Sequence, residues 1–346
     1  MAALPDSEPA LPLVVDRRAR PLHDLRISVT DRCNFRCPYC MPAEIYGERY
    51  EFLPRREVLA FGEIERLARV FTGLGVRKLR ITGGEPLLRA ELAELVRLLA
   101  KLPDADDVAL TTNGWLLAEQ AEALAAAGLR RVTVSLDSLD EAVFAQMNGK
   151  GFGVARVLEG IEAARRVGLA PVKLNCVVQR GVNDATIAAL AERFRGTGVI
   201  VRFIEYMDVG TLNHWSRADV FSAREIRDRI HTVFPLEPIA PSYRGEVARR
   251  YRYADGAGEI GIIASVTQPF CGDCTRARLS PDGRLFTCLF AGAGVDLRTP
   301  LRSGVGDDAL AAWIAGLWRA RADRYSEERA ESGPPREKIE MFRIGG

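Results

Sequence analysis

Short apolar and β-branched runs alternate with longer amphipathic segments between residues 24 and 205. The runs predict six strands, at Leu25–Thr30, Lys78–Thr82, Asp107–Thr112, Arg131–Leu136, Val172–Gln179 and Val199–Glu205. The segments between them predict helices at about 60–74, 88–101, 116–127, 152–167 and 184–195. Such alternation is typical of a parallel sheet with right-handed crossovers.

Six strand–helix units are fewer than the eight that close a full barrel. The pattern therefore predicts an α/β fold that is either a partial, open parallel β/α barrel or a flat doubly wound sheet. In both architectures the functional groups gather where the strands end. The predicted strand ends carry polar and glycine residues, at Thr30–Cys33, Thr82–Pro86, Thr111–Gly114, Ser135–Asp137 and Arg202–Met207.

The alternation of strand and helix patterns ends after about residue 215. Short β-like stretches at Gly258–Ser265, Arg276–Leu279 and Leu285–Leu289 precede a helix predicted at 307–320. We expect three parts: a flexible leader at 1–21, a partial barrel at 22–214, and a C-terminal region at 215–346 that covers the barrel's open side.

Composition narrows the class of protein. The formal net charge of the 346 residues is only +2, which gives no reason to expect nucleic acid or an anionic membrane as a partner. The N-terminal residues lack the pattern of a signal peptide, and no long apolar run predicts a membrane span. We therefore expect a cytoplasmic protein with reduced cysteines. Cys176 stands alone in an apolar run and is interpreted as a small buried residue.

The other six cysteines form two groups, which suggests metal binding. Cys33, Cys37 and Cys40 lie in one loop after the first predicted strand. Thiolates select zinc, copper(I) or iron–sulfur clusters, and a structural zinc site normally has four ligands. Three cysteines without a nearby histidine fit an iron–sulfur cluster with one open iron. A zinc site with a distant ligand and a redox CxxC pair remain the alternatives.

Cys271, Cys274 and Cys288 form the second group, and a second cluster explains them better than zinc. His214 and His231 lie well upstream and are interpreted as ordinary polar residues. Arg276 and Arg278 follow the first two cysteines. Two residues apart on a strand, they face the same side, and arginine forks suit phosphate. A solvated strand face is the alternative.

The spacing Cys-x3-Cys-x2-Cys, with Tyr39 before the last cysteine, resembles the signature of the radical S-adenosylmethionine (SAM) superfamily. Gly83-Gly84-Glu85-Pro86 resembles its SAM-binding segment, although alone it would predict only a tight turn. In that superfamily SAM chelates the open iron of a [4Fe–4S] cluster and is cleaved to a 5′-deoxyadenosyl radical. Ser135 would contact SAM, whereas Asp137 fits equally a SAM contact and the N-cap of the next helix.

A longer ordered set resembles the molybdenum cofactor biosynthesis protein A family, the GTP 3′,8-cyclases. The matching segments are Leu25–Cys37, Arg80–Leu87, Leu110–Gly114, Arg202–Met207, Cys271–Arg278 and the terminal Gly345-Gly346. This resemblance implies a lyase that converts GTP to 3′,8-cyclo-7,8-dihydroguanosine 5′-triphosphate in molybdenum cofactor biosynthesis. It also implies SAM, two [4Fe–4S] clusters and an electron donor.

The resemblance further assigns roles to individual residues. The implied SAM contacts are Tyr39, Gly84, Ser135 and Met207. The implied GTP contacts are Arg26, Arg80, Thr111, Lys173, Arg276 and Arg278, with Arg202 as a weaker candidate. The second cluster would bind guanine, and the Gly345-Gly346 tail would enter the active site. No residue is expected to act as a general acid or base, because the cofactors carry the chemistry.

Two other functions are left open by the residues alone. A radical SAM enzyme that matures a peptide also carries an auxiliary cluster, but its C-terminus is usually longer and richer in cysteine. A non-catalytic, metal-binding redox module is the second alternative. The expected partners are GTP and an electron donor, without nucleic acid or membrane, and both a monomer and a homodimer fit.

Overall fold

The computed structural model describes residues 13–329 and 337–345. The strands are β1 (Asp24–Ser28), β2 (Lys78–Thr82), β3 (Asp107–Thr112), β4 (Arg131–Ser135), β5 (Lys173–Val178), β6 (Ile200–Glu205), β7 (Leu236–Ile239), β8 (Arg249–Tyr253), β9 (Glu259–Ile263), β10 (Arg276–Leu279), β11 (Arg284–Phe286) and β12 (Val295–Asp296). The helices are α1 (Phe61–Gly73), α2 (Leu92–Ala100), α3 (Leu117–Ala126), α4 (Glu141–Asn148), α5 (Ala155–Arg166), α6 (Ile187–Phe194), α7 (Ala223–Val233), α8 (Arg298–Arg302), α9 (Asp307–Ala320), α10 (Tyr325–Glu328) and α11 (Met341–Ile344).

The described strands form a single sheet in the order β12-β11-β10-β1-β2-β3-β4-β5-β6-β9-β8-β7. From β10 to β9 each neighbouring pair is parallel, whereas the outer strands pair antiparallel. The order is linear over the described residues, so the sheet does not close, and β1 to β6 follow chain order without the reversal of a doubly wound sheet. These features confirm the predicted partial barrel. The C-terminal region adds a parallel strand to each side of the six predicted strands instead of only covering the opening.

Alternation along the parallel strands sets the two faces of the sheet. Leu25 and Ile27 on β1, like Leu79 and Ile81 on β2, are fully buried in the main hydrophobic core. The residues between them on the strands, such as Arg26, point to the opposite face. The outer face therefore packs against the helices, and the inner face is left to polar side chains.

The strand and helix predictions for residues 24–205 agree with the structure to within a few residues, except that α4 was missed. Beyond residue 205 the elements that were missed are α7, α8, α10, α11, β7, β8 and β12. A capping box begins α7, where Ser222 and Glu225 satisfy each other's backbone N–H groups, and its sequence signature was available. No helix in the described ranges is both long and apolar enough to cross a membrane.

Residues 13–21, part of the expected flexible leader, are instead packed against the fold. Val14 is buried, and Val15 forms a bridge with Pro21. Asp16 and Arg20 form an ion pair with both side chains fully buried. The composition of residues 13–21 did not predict that they are ordered. The reason is that Arg20 also bonds to Cys271, and Asp16 to Arg321, and both of these partners lie far along the chain. Residues 1–12 lie outside the described residues.

Glu205, at the end of β6, joins the two parts of the chain. Its buried carboxylate accepts hydrogen bonds from the backbone N–H groups of Ala223 (2.7 Å), Val266 (2.7 Å) and Thr267 (2.9 Å), and from the Thr267 hydroxyl. One side chain therefore fixes the start of α7 and the loop after β9 to the barrel.

We expect Glu205→Gln to lower the free energy of unfolding by about 2 kcal/mol or more, because the amide NH₂ cannot accept hydrogen bonds. Chemical denaturation of the metal-free protein, followed by circular dichroism, measures this change. Glu119→Gln is the matched control, since the Glu119 side chain is largely exposed and pairs with Arg156 at the surface. Equal stability of the two variants would contradict the role of Glu205.

Candidate active site

A first cavity opens at the carboxyl ends of the strands. The predicted residues that line it are Cys33, Cys37, Tyr39, Cys40, Gly84, Ser135 and Met207. The structure thus brings the first cysteine group together with the four expected SAM contacts. Asn113, Asp137, Asn175 and Glu205 also line this cavity.

The first cysteine loop is held by its own backbone and by its neighbours. The Arg36 guanidinium donates to the carbonyl oxygens of Cys33 (2.7 Å) and Tyr46 (2.6 Å). The Arg36 N–H donates to the carbonyl oxygen of Asn148 at 2.8 Å, and the Cys37 carbonyl accepts from the Cys40 N–H at 2.9 Å. These contacts therefore define the shape of the loop that carries the three thiols.

Glu85 and Gly84 attach the next strand end to this loop. The backbone N–H of Gly84 donates to Thr30, and a side chain at Gly84 would overlap the Arg32 carbonyl oxygen. The Glu85 carboxylate accepts from the Thr112 hydroxyl (2.7 Å) and the Asn113 N–H (2.7 Å). Burial raises the pKa of Glu85 to about 7, despite these hydrogen bonds. Glu85 thus acts as a buried support rather than a ligand.

Asp137 does not cap the next helix, because Asp140 does so by accepting from the Val143 N–H at 2.9 Å. That interpretation of Asp137 was wrong. The Asp137 carboxylate instead accepts from the Tyr39 hydroxyl (2.7 Å) and the Val177 N–H (2.8 Å). Burial raises the pKa of Asp137 to about 6. Asp137 therefore orients Tyr39 between two of the cysteines.

A second cavity lies beside the first. The predicted residues that line it are Arg26, Arg80, Thr111, Arg202, Cys271, Cys274, Arg276, Arg278 and Cys288. The residues that line both cavities are Thr111, Asn175, Ile204, Met207 and Leu289. The two cysteine groups, far apart in sequence, therefore face adjoining cavities across a shared wall.

Parallel register explains the positive charge of the second cavity. Arg26 on β1 lies directly opposite Arg278 on β10 and Arg80 on β2. Burial lowers the pKa of Arg26, and repulsion from Arg278 and Arg80 lowers it further. Burial likewise lowers the pKa of Arg278 to about 10, with Arg276 adding to the effect. Like charges held this close favour an anionic ligand.

Lys173 is not among the described residues that line the second cavity, although it belongs to the same charged cluster. Burial lowers its pKa to about 8, and Arg202, Arg131 and Arg80 contribute by repulsion. Several residues that line the second cavity were not predicted from the sequence, namely Asp24, Lys78, Asp107, Arg131 and Tyr243. A usable signal existed for Lys78 and Arg131, since cations within predicted strands are unusual.

The second cysteine group begins in a short turn at Cys271–Asp273. The Arg276 guanidinium approaches the Cys274 sulfur at 3.2 Å. Burial tends to raise the pKa of Cys274, but Arg276 and Arg321 lower it to about 6. Within the described ranges, no three His, Cys, Asp or Glu side chains are arranged to hold a single metal ion. The thiol-only donor sets fit iron–sulfur clusters.

Two residues outside the cysteine groups, Cys176 and His231, have structural positions. Cys176 is completely buried, which confirms its interpretation as a small core residue. His231 accepts a hydrogen bond from the Leu236 N–H at 2.9 Å and so supports a turn.

The C-terminal segment reaches the site between the two cavities. Met341 and Phe342 line the first cavity. The Gly345 carbonyl accepts a hydrogen bond from Arg278, and a side chain at Gly345, where φ is 67°, would overlap Thr82. Gly346 lies outside the described residues.

The fold and the site together define a radical SAM enzyme, which uses SAM and an iron–sulfur cluster. Residues 27–194 match the Radical SAM superfamily, and residues 199–327 match the family described as Molybdenum Cofactor Synthesis C. The crystal structure of Streptococcus suis SuiB bound to S-adenosylmethionine has a similar fold, with a TM-score of 0.65 at 14% identity. The match covers 95% of this chain and 79% of that one.

Relatives named GTP 3′,8-cyclase specify the family more narrowly. Those from Acidothermus cellulolyticus, Xanthomonas campestris pv. campestris and Staphylococcus carnosus are 53%, 52% and 48% identical. Each match covers 96% of this chain, and 98%, 97% and 99% of the respective relative. The chain belongs to the GTP 3′,8-cyclase family.

Asp137→Asn should raise the dissociation constant for SAM about tenfold, because the amide can replace the carboxylate for only one of its two donors. Anaerobic equilibrium dialysis with labelled SAM measures the constant. Asp140→Asn is the matched control, since asparagine caps a helix as well as aspartate does. An equal rise in both variants, or none in Asp137→Asn, would contradict the proposed orientation of Tyr39.

Proposed function

We propose that this chain is a lyase that converts GTP to 3′,8-cyclo-7,8-dihydroguanosine 5′-triphosphate with SAM and an electron donor. The observation that carries the proposal is the shared wall between a cysteine-lined SAM cavity and a cationic cavity lined by the second cysteine group. The reaction forms a bond within GTP without hydrolysis, which is why we assign a lyase.

Two [4Fe–4S] clusters would be held by the two cysteine groups, Cys33, Cys37, Cys40 and Cys271, Cys274, Cys288. All six cysteines are free thiols that line one of the two cavities. When bound, the first cluster and SAM supply the radical that removes hydrogen from ribose C3′, and one electron and one proton complete the cyclised product. The second cluster would bind guanine through its open iron.

Residues of this chain would hold SAM and GTP in fixed positions relative to each other. Tyr39, Gly84, Ser135 and Met207 would contact SAM, and Met207 also lines the GTP cavity. A radical reacts with the nearest hydrogen, so the wall between the cavities determines the reacting atom. No side chain needs to move a proton during hydrogen abstraction.

The triphosphate would lie among the clustered cations. The proposed GTP contacts are Arg26, Arg80, Thr111, Lys173, Arg276 and Arg278, with Arg202 a further candidate. Arginine forks and a lysine ammonium are the usual partners of phosphate oxygens. Phosphate binding would relieve the mutual repulsion of these cations, which adds to burial in lowering the pKa values of Arg26, Arg80 and Lys173.

The C-terminal segment would close the site on the side of Arg278. Glu340 accepts from the Thr211 N–H at 2.9 Å, and Lys338 donates to the Asp208 carboxylate at 2.7 Å. These contacts hold the segment so that the Gly345 carbonyl meets Arg278. The Gly-Gly tail would then orient Arg278 toward GTP.

The remaining assignments follow from this function. We place the radical SAM part at 22–214 and the auxiliary-cluster part at 215–346. The enzyme would work in the cytoplasm with a low-potential electron donor, as a monomer or a homodimer.

The direct test is a quenched anaerobic incubation of the cluster-reconstituted protein with SAM, reductant and GTP. Mass spectrometry should detect 5′-deoxyadenosine together with a cyclised guanosine nucleotide, and both should require GTP. Formation of 5′-deoxyadenosine without a modified nucleotide would refute the assignment of GTP as the substrate. Absence of both products from protein with full iron content would refute the activity.

Arg26→Ala should raise the KM for GTP at least about tenfold, since a charge-assisted contact to phosphate is removed. Iron content and SAM affinity should stay at their wild-type values. Steady-state kinetics and iron analysis measure these quantities. Arg97→Ala, which removes an exposed arginine on α2, is the control. Unchanged KM in Arg26→Ala would contradict the assignment.

GTP affinity should fall as the pH rises through about 8, where burial places the pKa of Lys173. Lysine attracts phosphate only when protonated, so affinity is complete below this pKa and declines above it by up to about tenfold per pH unit. Arginines keep their protons in this range. Calorimetric titration without SAM should show the decline in wild type and in the exposed control Lys150→Met. Lys173→Met should bind more weakly and without the decline; a decline that persists would contradict the role of Lys173.

A further inference from the structure

A buried ionic network joins the two ends of the described chain. We call the set of Asp16, Arg20, Arg321 and Asp323 the terminal network. The Asp16 carboxylate accepts from Arg20 Nε at 2.7 Å and from Arg321 Nη1 at 3.2 Å. Arg321 Nε in turn donates to the Asp323 carboxylate at 3.2 Å. The side chains of Asp16 and Arg20 are 0% exposed, and that of Arg321 is 1% exposed.

The terminal network ends on the second cysteine group. Arg20 Nη1 donates to the carbonyl oxygen of Cys271 at 2.6 Å, and Arg321 Nη1 donates to that of Cys274 at 2.7 Å. The Asp323 carboxylate accepts from the hydroxyl of Thr287, the residue before Cys288, at 2.6 Å. Each of the three cysteines is thus held directly or through its neighbour.

The terminal network differs from the cationic GTP cavity in that its positive and negative charges balance. Two arginines face two aspartates, so the network adds no net charge beside the cysteines. Fully buried arginines are costly unless paired, and here the pairing is nearly complete. Arg20 Nη2 is the exception, because it is buried and has no acceptor among the described residues. A sulfur atom of a bound iron–sulfur cluster could accept a hydrogen bond from Arg20 Nη2.

We propose that Arg20 and Arg321 are positioning residues for the auxiliary cluster, acting through the carbonyl groups of Cys271 and Cys274. This inference rests on the proposed two-cluster function. Fixing the two carbonyls fixes the turn that carries the thiols before any iron arrives. Backbone restraint and hydrogen bonding around a cluster also set its stability and its reduction potential.

The packing of Trp318 supports the same conclusion. Its indole N–H donates to the Arg20 carbonyl at 3.0 Å, and the Arg321 guanidinium lies over its ring at 4.5 Å. Helix α9 therefore holds both arginines at once. Hydrogen bonds therefore link three parts of the fold directly: the N-terminal segment, α9 and the second cysteine group.

The test compares wild type with Arg20→Met, Arg321→Met and the milder Arg20→Lys, all reconstituted anaerobically. We expect the methionine variants to retain about half of the wild-type iron, to keep SAM binding, and to lose GTP cyclisation by at least about tenfold. The electron paramagnetic resonance signal of the second cluster should disappear. Arg20→Lys keeps the charge without the fork, and its second-cluster signal should be shifted.

Arg66→Met is the matched control, since Arg66 also pairs with an aspartate, Asp307, and donates to backbone carbonyls, but between α1 and α9 away from both cavities. It should keep full iron and turnover. A second readout needs no metal: hydrogen exchange of residues 268–290 in the metal-free protein should accelerate in Arg20→Met and Arg20→Lys but not in Arg66→Met.

The outcomes separate the inference from the function on which it rests. Wild-type protein with only one cluster would refute the two-cluster function, whatever the variants do. Two clusters in wild type, with unchanged iron, resonance signal and loop exchange in the arginine variants, would overturn the inference alone. Equal loss of both clusters in Arg20→Met, Arg20→Lys and Arg66→Met would also overturn it, because it would indicate general instability.

Discussion

The pairing of β10 with β1 is the contact on which the rest of the site depends. Residues near 276 lie beside residues near 24 only because the C-terminal strand takes this edge of the parallel sheet. The pairing places the second cysteine group beside the first cavity and aligns Arg278 with Arg26 and Arg80. Each of these arginines is poorly solvated, and their charges repel. The fold therefore stores electrostatic strain where the substrate triphosphate would relieve it.

Support for the two cysteine groups is organised differently. The first loop is held by local contacts of Arg36 and by the strand end at Glu85. The second is held by residues drawn from both ends of the chain, through Arg20 and Arg321. The first group could thus be recognised within a short stretch of sequence, whereas the surroundings of the second exist only in the folded protein.

The sequence predicted the central strands well because buried parallel strands are continuous apolar runs bounded by glycine and polar turns. It also singled out the six cysteines that line the cavities, and of the expected SAM and GTP contacts all but Lys173 are among the described lining residues. It did not reveal the order of residues 13–21, since the ion pair of Asp16 and Arg20 is buried by further partners some 250 to 300 residues away. Asp137 was ambiguous because a carboxylate between a strand and a helix can either cap the helix or accept buried hydrogen bonds, and its sequence position fits both. The outer strands β7 and β8 were missed because their charged residues hide the alternation.

The late position of β10 has a consequence for synthesis in the cell. The edge of β1 stays unpaired until the ribosome has made Arg276, and an unpaired parallel edge is prone to wrong association. The first cysteine loop emerges much earlier, with its carboxyl-edge cavity still lacking the C-terminal wall at Met341 and Phe342. Completion of the barrel therefore waits for synthesis of the C-terminal region, and the second cavity forms later than the first cysteine loop.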